Sequence, residues 1–177
     1  RVWEQAGKSA ASRVVIATDD PRIEAAAREF GAEVCMTNPD HPSGTDRLHE
    51  VASILNLSDD QIVVNVQGDE PFVDPSQLDS LINLIAKPHV SIATLAKKIS
   101  DSQTLFDSSK VKVVINAHSQ ALYFSRQAIP FYRYAENKHW HEHHTYYKHL
   151  GLYAYTPEKL REICALQPSS LEMAESL

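Results

Sequence analysis

Two adjacent carboxylates, Asp69 and Glu70, follow a short apolar run at the point where glycine and proline interrupt it, in the stretch VNVQGDEPF. Gly68 permits backbone geometries that other residues resist, and Pro71 fixes the direction in which the chain leaves. A carboxylate at such a strand end is suited to Mg²⁺, which binds one or two carboxylates together with substrate phosphates. The alternative is a capped turn whose two acids are solvated.

A second polar group of residues, Ser43-Gly44-Thr45, precedes a predicted helix. Hydroxyls and free backbone amides at a helix N-terminus bind phosphates or base edges, although such residues more often only cap the helix. Arg47 is expected in the first turn of the same helix, where a cation is unfavourable to the helix dipole. An anion close to Arg47 would offset that cost.

A histidine-rich stretch, KHWHEHHTYYKH, offers candidate zinc ligands at His139, His141, His143, His144 and His149. Zinc requires a fixed ligand geometry supported by further hydrogen-bond partners. We interpret the stretch as a solvated polar loop instead. His149 is different, because it opens the apolar strand HLGLYAY and is expected to point into a crevice together with Tyr153.

Elements that alternate between strands and helices must position these side chains. We predict strands at 13–18, 33–36, 61–66 and 90–96, and helices at 21–30, 45–55 and 75–86. This order favours an α/β fold with a mainly parallel sheet covered by helices, whose ligands collect beyond the carboxyl ends of the strands. Beyond residue 110, the predicted strands 111–116, 121–125 and 149–155 have no helices between them, which indicates a mixed β extension in the second half of one domain.

The bulk composition narrows the function classes. The chain has 177 residues, 43% hydrophobic and 23% charged, with a net charge of −6, which argues against nucleic-acid binding. No apolar run has membrane-spanning length, and two cysteines give no disulfide framework, so we expect a cytoplasmic protein. The chain opens like the tail of a helix and closes like a helix just begun, with Ser170 as its cap, so we expect both ends to be cut.

Taken together, these stretches resemble the 3-deoxy-manno-octulosonate (Kdo) cytidylyltransferases, also called CMP-Kdo synthetases. The matching segments are collinear and span nearly the whole chain: VVIATDD, EVCMTNPDHPSGTDRLHEV, IVVNVQGDEPFVDP, VKVVINA, ALYFSRQAIPF, HLGLYAY and LQPSSLE. The resemblance implies a Rossmann-like nucleotidyltransferase fold in a cytoplasmic homodimer. It also implies that CTP and Kdo give CMP-Kdo and pyrophosphate with Mg²⁺, which supplies Kdo to lipopolysaccharide synthesis.

The resemblance implies roles for particular residues. Asp69 would be the catalytic Mg²⁺ ligand, and Glu70 would order the turn. Contacts to Kdo would come from Arg47, Gln67, His149 and Tyr153, and Ser43, Gly44 and Thr45 would lie against the cytosine. CTP and Kdo would be the small-molecule partners, without nucleic acid or membrane insertion.

The family pattern also includes segments that these 177 residues do not contain: a basic, glycine-containing triphosphate loop, a VDTPED-like metal-binding segment and a Glu-Gln pair that contacts the sugar. We therefore expect residues 1–177 to form one incomplete nucleotidyltransferase domain that releases no pyrophosphate by itself. Two hypotheses remain open for the protein: a catalytic cytidylyltransferase whose sequence is truncated here, and a catalytically inactive fragment of such an enzyme. A related sialic-acid-type cytidylyltransferase is a third.

Overall fold

The computed structural model describes residues 1–177, which divide into two units. The first unit consists of residues 1–93 and 152–167, and the second consists of residues 94–151 and 168–177. The expectation of one domain over the whole chain stays a prediction.

The chain forms eight α-helices, seven strands and one 3₁₀ turn. In chain order these are α1 (Val2–Ala6), β1 (Val15–Thr18), α2 (Pro21–Glu29), β2 (Glu33–Met36), α3 (Gly44–Ile54), β3 (Val63–Asn65), α4 (Pro75–Ile85), β4 (Ile92–Lys98), α5 (Ser102–Phe106), β5 (Lys112–Ile115), β6 (Ala121–Ser125), the 3₁₀ turn (Asn137–His139), α6 (Trp140–His143), β7 (Tyr147–Tyr155), α7 (Pro157–Cys164) and α8 (Ser170–Glu175). None of the helices has the length and apolar character needed to cross a lipid bilayer.

Strand pairing differs between the early and the late part of the chain. In the first unit β1 and β2 pair in parallel, from Val15 opposite Glu33 to Thr18 opposite Met36. The C-terminal end of β7 pairs antiparallel with β3 in the same unit. In the second unit β5 pairs antiparallel with β6 and with the N-terminal end of β7. The α/β class and the mixed second half are therefore confirmed, with the parallel pairing found between β1 and β2.

Local capping signals explain where the helices of the first unit begin and end. Asp20 caps α2, since its carboxylate accepts a hydrogen bond from the backbone N–H of Arg22 at 2.8 Å. Gly31 follows that helix with a φ of +82°, a left-handed conformation that suits glycine. Ser43 caps α3 and Asp74 caps α4 in the same way. These three helices lie within one or two residues of their predicted bounds.

Each unit has its own buried apolar cluster. In the first unit, Ala52, Tyr155 and Leu160 are buried together, so α3 and α7 pack against the end of β7. In the second unit, a cluster of four side chains is buried, formed by Ile99, Leu105, Trp140 and Tyr146.

The prediction of a polar loop for the histidine-rich stretch is wrong. Residues 137–143 form the 3₁₀ turn and α6, and Trp140 is only 3% exposed. The Trp140 indole N–H donates a hydrogen bond to the carbonyl of Ala135 at 2.9 Å, and its ring meets the ring of Phe131 edge-on at 4.9 Å. A buried tryptophan with a satisfied N–H anchors this stretch, so its histidines lie on folded backbone.

A smaller correction concerns the last helix. Ser169, not Ser170, caps α8, because the Ser169 hydroxyl accepts a hydrogen bond from the Glu172 N–H at 3.2 Å. The Glu172 carboxylate in turn accepts from the Ser169 backbone N–H at 2.6 Å, which completes a capping box.

Candidate active site

The carboxyl ends of β1 and β2 meet where polar residues follow the strands. The backbone N–H of Thr37 donates a hydrogen bond to the carbonyl of Thr18 at 3.0 Å, which continues the ladder one residue past β2. Both threonines are buried. The next residue after Thr18 is Asp19, and the loop after Thr37 leads into α3.

Arg47 of α3 reaches back to these strand ends. Its Nη1 lies 2.5 Å from the Thr37 hydroxyl and 2.9 Å from a carboxylate oxygen of Asp19. The negative charge of Asp19 therefore offsets the unfavourable interaction between Arg47 and the helix dipole at the start of α3. The Arg47 side chain keeps 22% of its surface exposed, and both of its partners approach the same guanidinium nitrogen.

A second side chain of α3 fastens the same loop. The Glu50 carboxylate accepts a hydrogen bond from the backbone N–H of Asn38 at 2.8 Å and pairs with the His41 ring. The bond with His41, together with that from Asn38, holds the pKa of Glu50 below its usual value. Sequence reasoning missed Glu50 and gave Asp19 and Thr37 no individual role, although both belong to polar segments that follow predicted strands. The position of Arg47 in its helix was a signal for an acidic partner.

The segment Ser43-Gly44-Thr45 forms the start of α3. The Ser43 hydroxyl accepts a hydrogen bond from the Asp46 N–H at 3.2 Å and donates one to the Asp46 carboxylate. Ser43 is thus a helix cap, and its hydroxyl is already engaged. Gly44 is exposed, and a Cβ built there would meet no atom within 4 Å, so the backbone at Gly44 is open to an approaching ligand.

The turn from Gln67 to Glu70 follows β3 and is exposed throughout. The backbone N–H of Glu70 donates to the Gln67 carbonyl at 3.2 Å, and the Glu70 carbonyl accepts from the Val73 N–H at 3.1 Å. Glu70 orders the turn through its backbone, while its carboxylate forms no hydrogen bond or ion pair, and nothing in the structure explains why residue 70 is acidic. The expectation that Gly68 supplies a special backbone geometry is wrong, because Gly68 has no positive φ.

Asp69, at the centre of this turn, has an exposed carboxylate with no hydrogen-bonding or ionic partner in the protein. The structure contains no group of three or more His, Cys, Asp or Glu side chains arranged to hold a metal ion. Asp69 would therefore be one ligand of a metal ion whose remaining ligands come from elsewhere, such as water and substrate phosphates.

Tyr153 contributes a neutral phenol to the first unit. Its ring stacks on that of Tyr155 with 5.7 Å between the ring centroids. Burial raises the pKa of Tyr153 to about 12, so the hydroxyl keeps its proton at neutral pH. The side chain is suited to donating a hydrogen bond and unsuited to removing a proton.

His149 lies in the second unit and is a neutral imidazole at pH 7. Its Nε2 is 2.8 Å from the Thr94 hydroxyl, and its ring meets the ring of Phe124 edge-on at 4.8 Å. Burial lowers the pKa of His149 to about 4. Because the ring is uncharged, His149 is suited to hydrogen bonding with hydroxyl groups more than to pairing with an anion.

The low pKa of His149 predicts that the free energy of unfolding falls as the solution becomes acidic. The unfolded chain binds the proton with a pKa near 6.5 and the folded chain only near 4, so protonation favours unfolding. The full contribution of His149 is present above pH 6.5 and is lost as the pH falls towards 4, by at most about 3 kcal/mol. Urea unfolding at pH 7.5 and pH 5 measures this loss.

His149→Asn should lose part of that pH dependence, while His118→Asn, which replaces an exposed histidine, should keep it. The same pH dependence in both variants would contradict a buried neutral His149.

Comparison with known proteins shows the family to which the chain belongs. The family model for cytidylyltransferases matches residues 1–177. Proteins named 3-deoxy-manno-octulosonate cytidylyltransferase are 50% identical over 167 residues in Cytophaga hutchinsonii and 51% identical over 175 residues in Chromohalobacter salexigens. The chain belongs to the 3-deoxy-manno-octulosonate cytidylyltransferase family.

Members of this family are nucleotidyltransferases, and the match extends over 94% and 97% of the present chain in those two relatives. The chain spans 66% and 68% of their lengths. A solved structure, CMP:2-keto-3-deoxy-manno-octonic acid synthetase complexed with CTP, superimposes on this chain with a TM-score of 0.89 at 42% sequence identity. The match covers 99% of this chain and 70% of the chain of the solved structure. The Rossmann-like nucleotidyltransferase fold implied by the sequence is therefore confirmed.

Proposed function

We propose that this chain carries the part of an enzyme that binds Kdo and CTP for the transfer of CMP to Kdo, with release of pyrophosphate. The observation that carries the proposal is the shared name of relatives that are about half identical over nearly the whole chain. The structural relative is complexed with CTP, which supports the nucleotide substrate. No relative reported above is named for sialic acid, so the eight-carbon sugar acid is favoured.

The reaction needs positioning more than covalent chemistry. The anomeric hydroxyl oxygen of Kdo forms a bond to the α-phosphorus of CTP, the bond from that phosphorus to the bridging oxygen of the β-phosphate breaks, and the hydroxyl proton is lost. The protein must hold the two reactants in line and stabilise the charge that develops on the phosphates. Exposed backbone at Gly44 and the neutral phenol of Tyr153, both in the first unit, fit such a role. The neutral imidazole of His149, in the second unit, is assigned to Kdo by the family resemblance alone.

Asp69 fits the role of one Mg²⁺ ligand. Mg²⁺ is typically held by one or two carboxylates with substrate phosphates and water completing the shell, and Asp69 is an exposed carboxylate without a protein partner. When bound, the ion would neutralise charge on the phosphates. The residues of the protein then orient the sugar acid and the nucleotide relative to them.

Arg47 is the proposed partner of the Kdo carboxylate. It is the cation that reaches the carboxyl ends of β1 and β2, and part of its side chain stays exposed. Gln67, in the exposed turn after β3, is proposed to contact sugar hydroxyls. Ser43, Gly44 and Thr45 are proposed to meet the cytosine, with the Gly44 backbone as the open element, since the Ser43 hydroxyl is used in capping.

Arg47→Ala should raise the KM for Kdo by about one to two decades, because a charge-assisted contact to a carboxylate contributes about 1.5–3 kcal/mol. The KM for CTP should change much less. Steady-state kinetics with each substrate varied in turn measures both constants. Arg13→Ala is the matched control, since Arg13 pairs with Glu33 on the surface of the same unit. Equal effects of Arg47→Ala on both substrates would contradict the assignment.

A cytoplasmic location and a homodimer are further parts of this proposal, and both rest on the family resemblance. Both cysteines are unpaired, as is usual in a reducing compartment. Light scattering on the purified protein measures the mass of the assembly, and a monomer at micromolar concentration would contradict the homodimer.

A pyrophosphate-release assay tests the proposed function. The full-length protein that contains these residues is mixed with CTP and Mg²⁺ and then with either Kdo or N-acetylneuraminate. Release that depends on Kdo is expected, whereas faster release with N-acetylneuraminate would contradict the substrate. Residues 1–177 in the same assay test the expectation that this segment alone is inactive.

A further inference from the structure

The Arg47 guanidinium is held by one of its three nitrogens. Both partners, Thr37 and Asp19, approach Nη1, at 2.5 Å and 2.9 Å. Nε and Nη2 donate no hydrogen bond within the protein. These two nitrogens form the side-on edge with which arginine binds a carboxylate through two parallel hydrogen bonds.

The Asp19 carboxylate has no structural task apart from Arg47. The neighbouring Asp20 caps α2, and the Thr18 hydroxyl accepts a hydrogen bond from the Asp20 backbone N–H at 3.1 Å. Asp19 makes neither contact, and its side chain is 38% exposed. Its replacement should therefore leave the strand end and the helix cap intact.

The geometry points to Asp19 as a positioning residue that fixes Nη1 of Arg47 and thereby turns the free Nε–Nη2 edge towards the carboxylate of a sugar acid. This inference rests on the proposed function. The Thr37 hydroxyl is the second fixed point, because Thr37 is buried and its backbone is bonded to Thr18. Two partners on one nitrogen restrict both the rotation of the guanidinium plane and its tilt.

Asp19 also has an opposite effect, since its negative charge partly neutralises Arg47 and repels an anionic ligand. The two effects predict opposite results for Asp19→Ala, which removes both the negative charge and the oxygen that contacts Nη1. If charge dominated, the variant would bind the sugar acid more tightly. If orientation dominates, as we propose, the variant binds it more weakly, because both hydrogen bonds to the carboxylate depend on the direction of the edge.

A double-mutant cycle on the full-length protein tests this inference. Asp19→Ala should raise the KM for Kdo by about tenfold, less than Arg47→Ala, because the arginine keeps its charge and its bond to Thr37. The value of kcat and the KM for CTP should stay within about threefold of the wild type, as expected for a contact that acts on one substrate. The double variant Asp19→Ala, Arg47→Ala should bind Kdo no worse than Arg47→Ala alone, within about twofold.

Two further variants complete the design. Thr37→Val removes the other partner of Nη1 and should also raise the KM for Kdo. Glu33→Gln removes the carboxylate partner of Arg13 in an exposed ion pair of the same unit and should change neither KM. Thermal melts of all variants show whether each is folded at the assay temperature.

An unchanged or lower KM for Kdo in folded, active Asp19→Ala protein would overturn the inference and leave the proposed function standing. An additive loss in the double variant would also overturn it, because Asp19 would then act without Arg47. A wild-type protein that releases no pyrophosphate with Kdo would overturn the proposed function and, with it, this role of Asp19.

Discussion

Asp69→Asn should lower the turnover of CTP and Kdo by orders of magnitude without unfolding the protein. Asparagine keeps the size of the side chain but removes the negative charge that a hard cation such as Mg²⁺ prefers. The fold should survive because the Asp69 carboxylate is exposed and has no partner within the protein. Initial rates at saturating substrates, with Mg²⁺ varied from limiting to excess, measure the loss beside a thermal melt.

Glu70→Gln is the matched control for this experiment. Glu70 is the adjacent residue, and its carboxylate is also exposed and unpaired, but its contribution to the turn comes from the backbone. The control should keep most of the activity. Wild-type rates in Asp69→Asn at limiting Mg²⁺, or an equal loss in both variants, would contradict the assignment of the metal ligand to Asp69.

Trp140→Ala should lower the free energy of unfolding by about 3–5 kcal/mol, the usual range for removing a buried tryptophan. Trp140 is 3% exposed and packs with Leu105 and Tyr146 in the core of the second unit. Urea unfolding followed by circular dichroism measures the change. Tyr134→Ala, at a position that is 83% exposed, is the control and should change stability by less than about 0.5 kcal/mol.

A loss below about 1 kcal/mol in Trp140→Ala would mean that the histidine-rich stretch is solvated after all. A measurement of stability alone therefore distinguishes the solvated loop expected from the sequence from the folded stretch seen in the structure.

Three helices of the first unit, α2, α3 and α4, could be predicted because their signals are local. Asp20, Ser43 and Asp74 each precede a helix that begins with proline or glycine, and each side chain bonds to a backbone N–H two or three residues later. Such contacts depend on a few consecutive residues, so the sequence contains all the information that they require.

The histidine-rich stretch could not be predicted because its structure depends on distant residues. Trp140 is buried by Ile99 and Leu105, which lie more than thirty positions earlier in the sequence. A helix as short as α6, with four residues, has no hydrophobic period to detect. Polar neighbours then dominate the local composition and indicate a loop.

The candidate site was only partly predictable for a similar reason. Arg47, Asp69 and the Ser43 segment could be selected from residue types next to predicted strands and helices. The partners of Arg47 could not, because Asp19 precedes it by twenty-eight positions and meets it only once β1, β2 and α3 are packed. The sequence indicated that Arg47 needs an anion close to it, and in the folded chain that anion is Asp19.

Transfer of the α-phosphate of CTP to Kdo is the most direct measurement of the proposed activity. The full-length protein is incubated with CTP labelled at the α-phosphorus, with Mg²⁺, and with or without Kdo, and the products are separated. The label should move into a sugar nucleotide only when Kdo is present, with one pyrophosphate released for each label transferred. Label that stays in CTP, or release of orthophosphate without a labelled sugar nucleotide, would contradict cytidylyl transfer to Kdo.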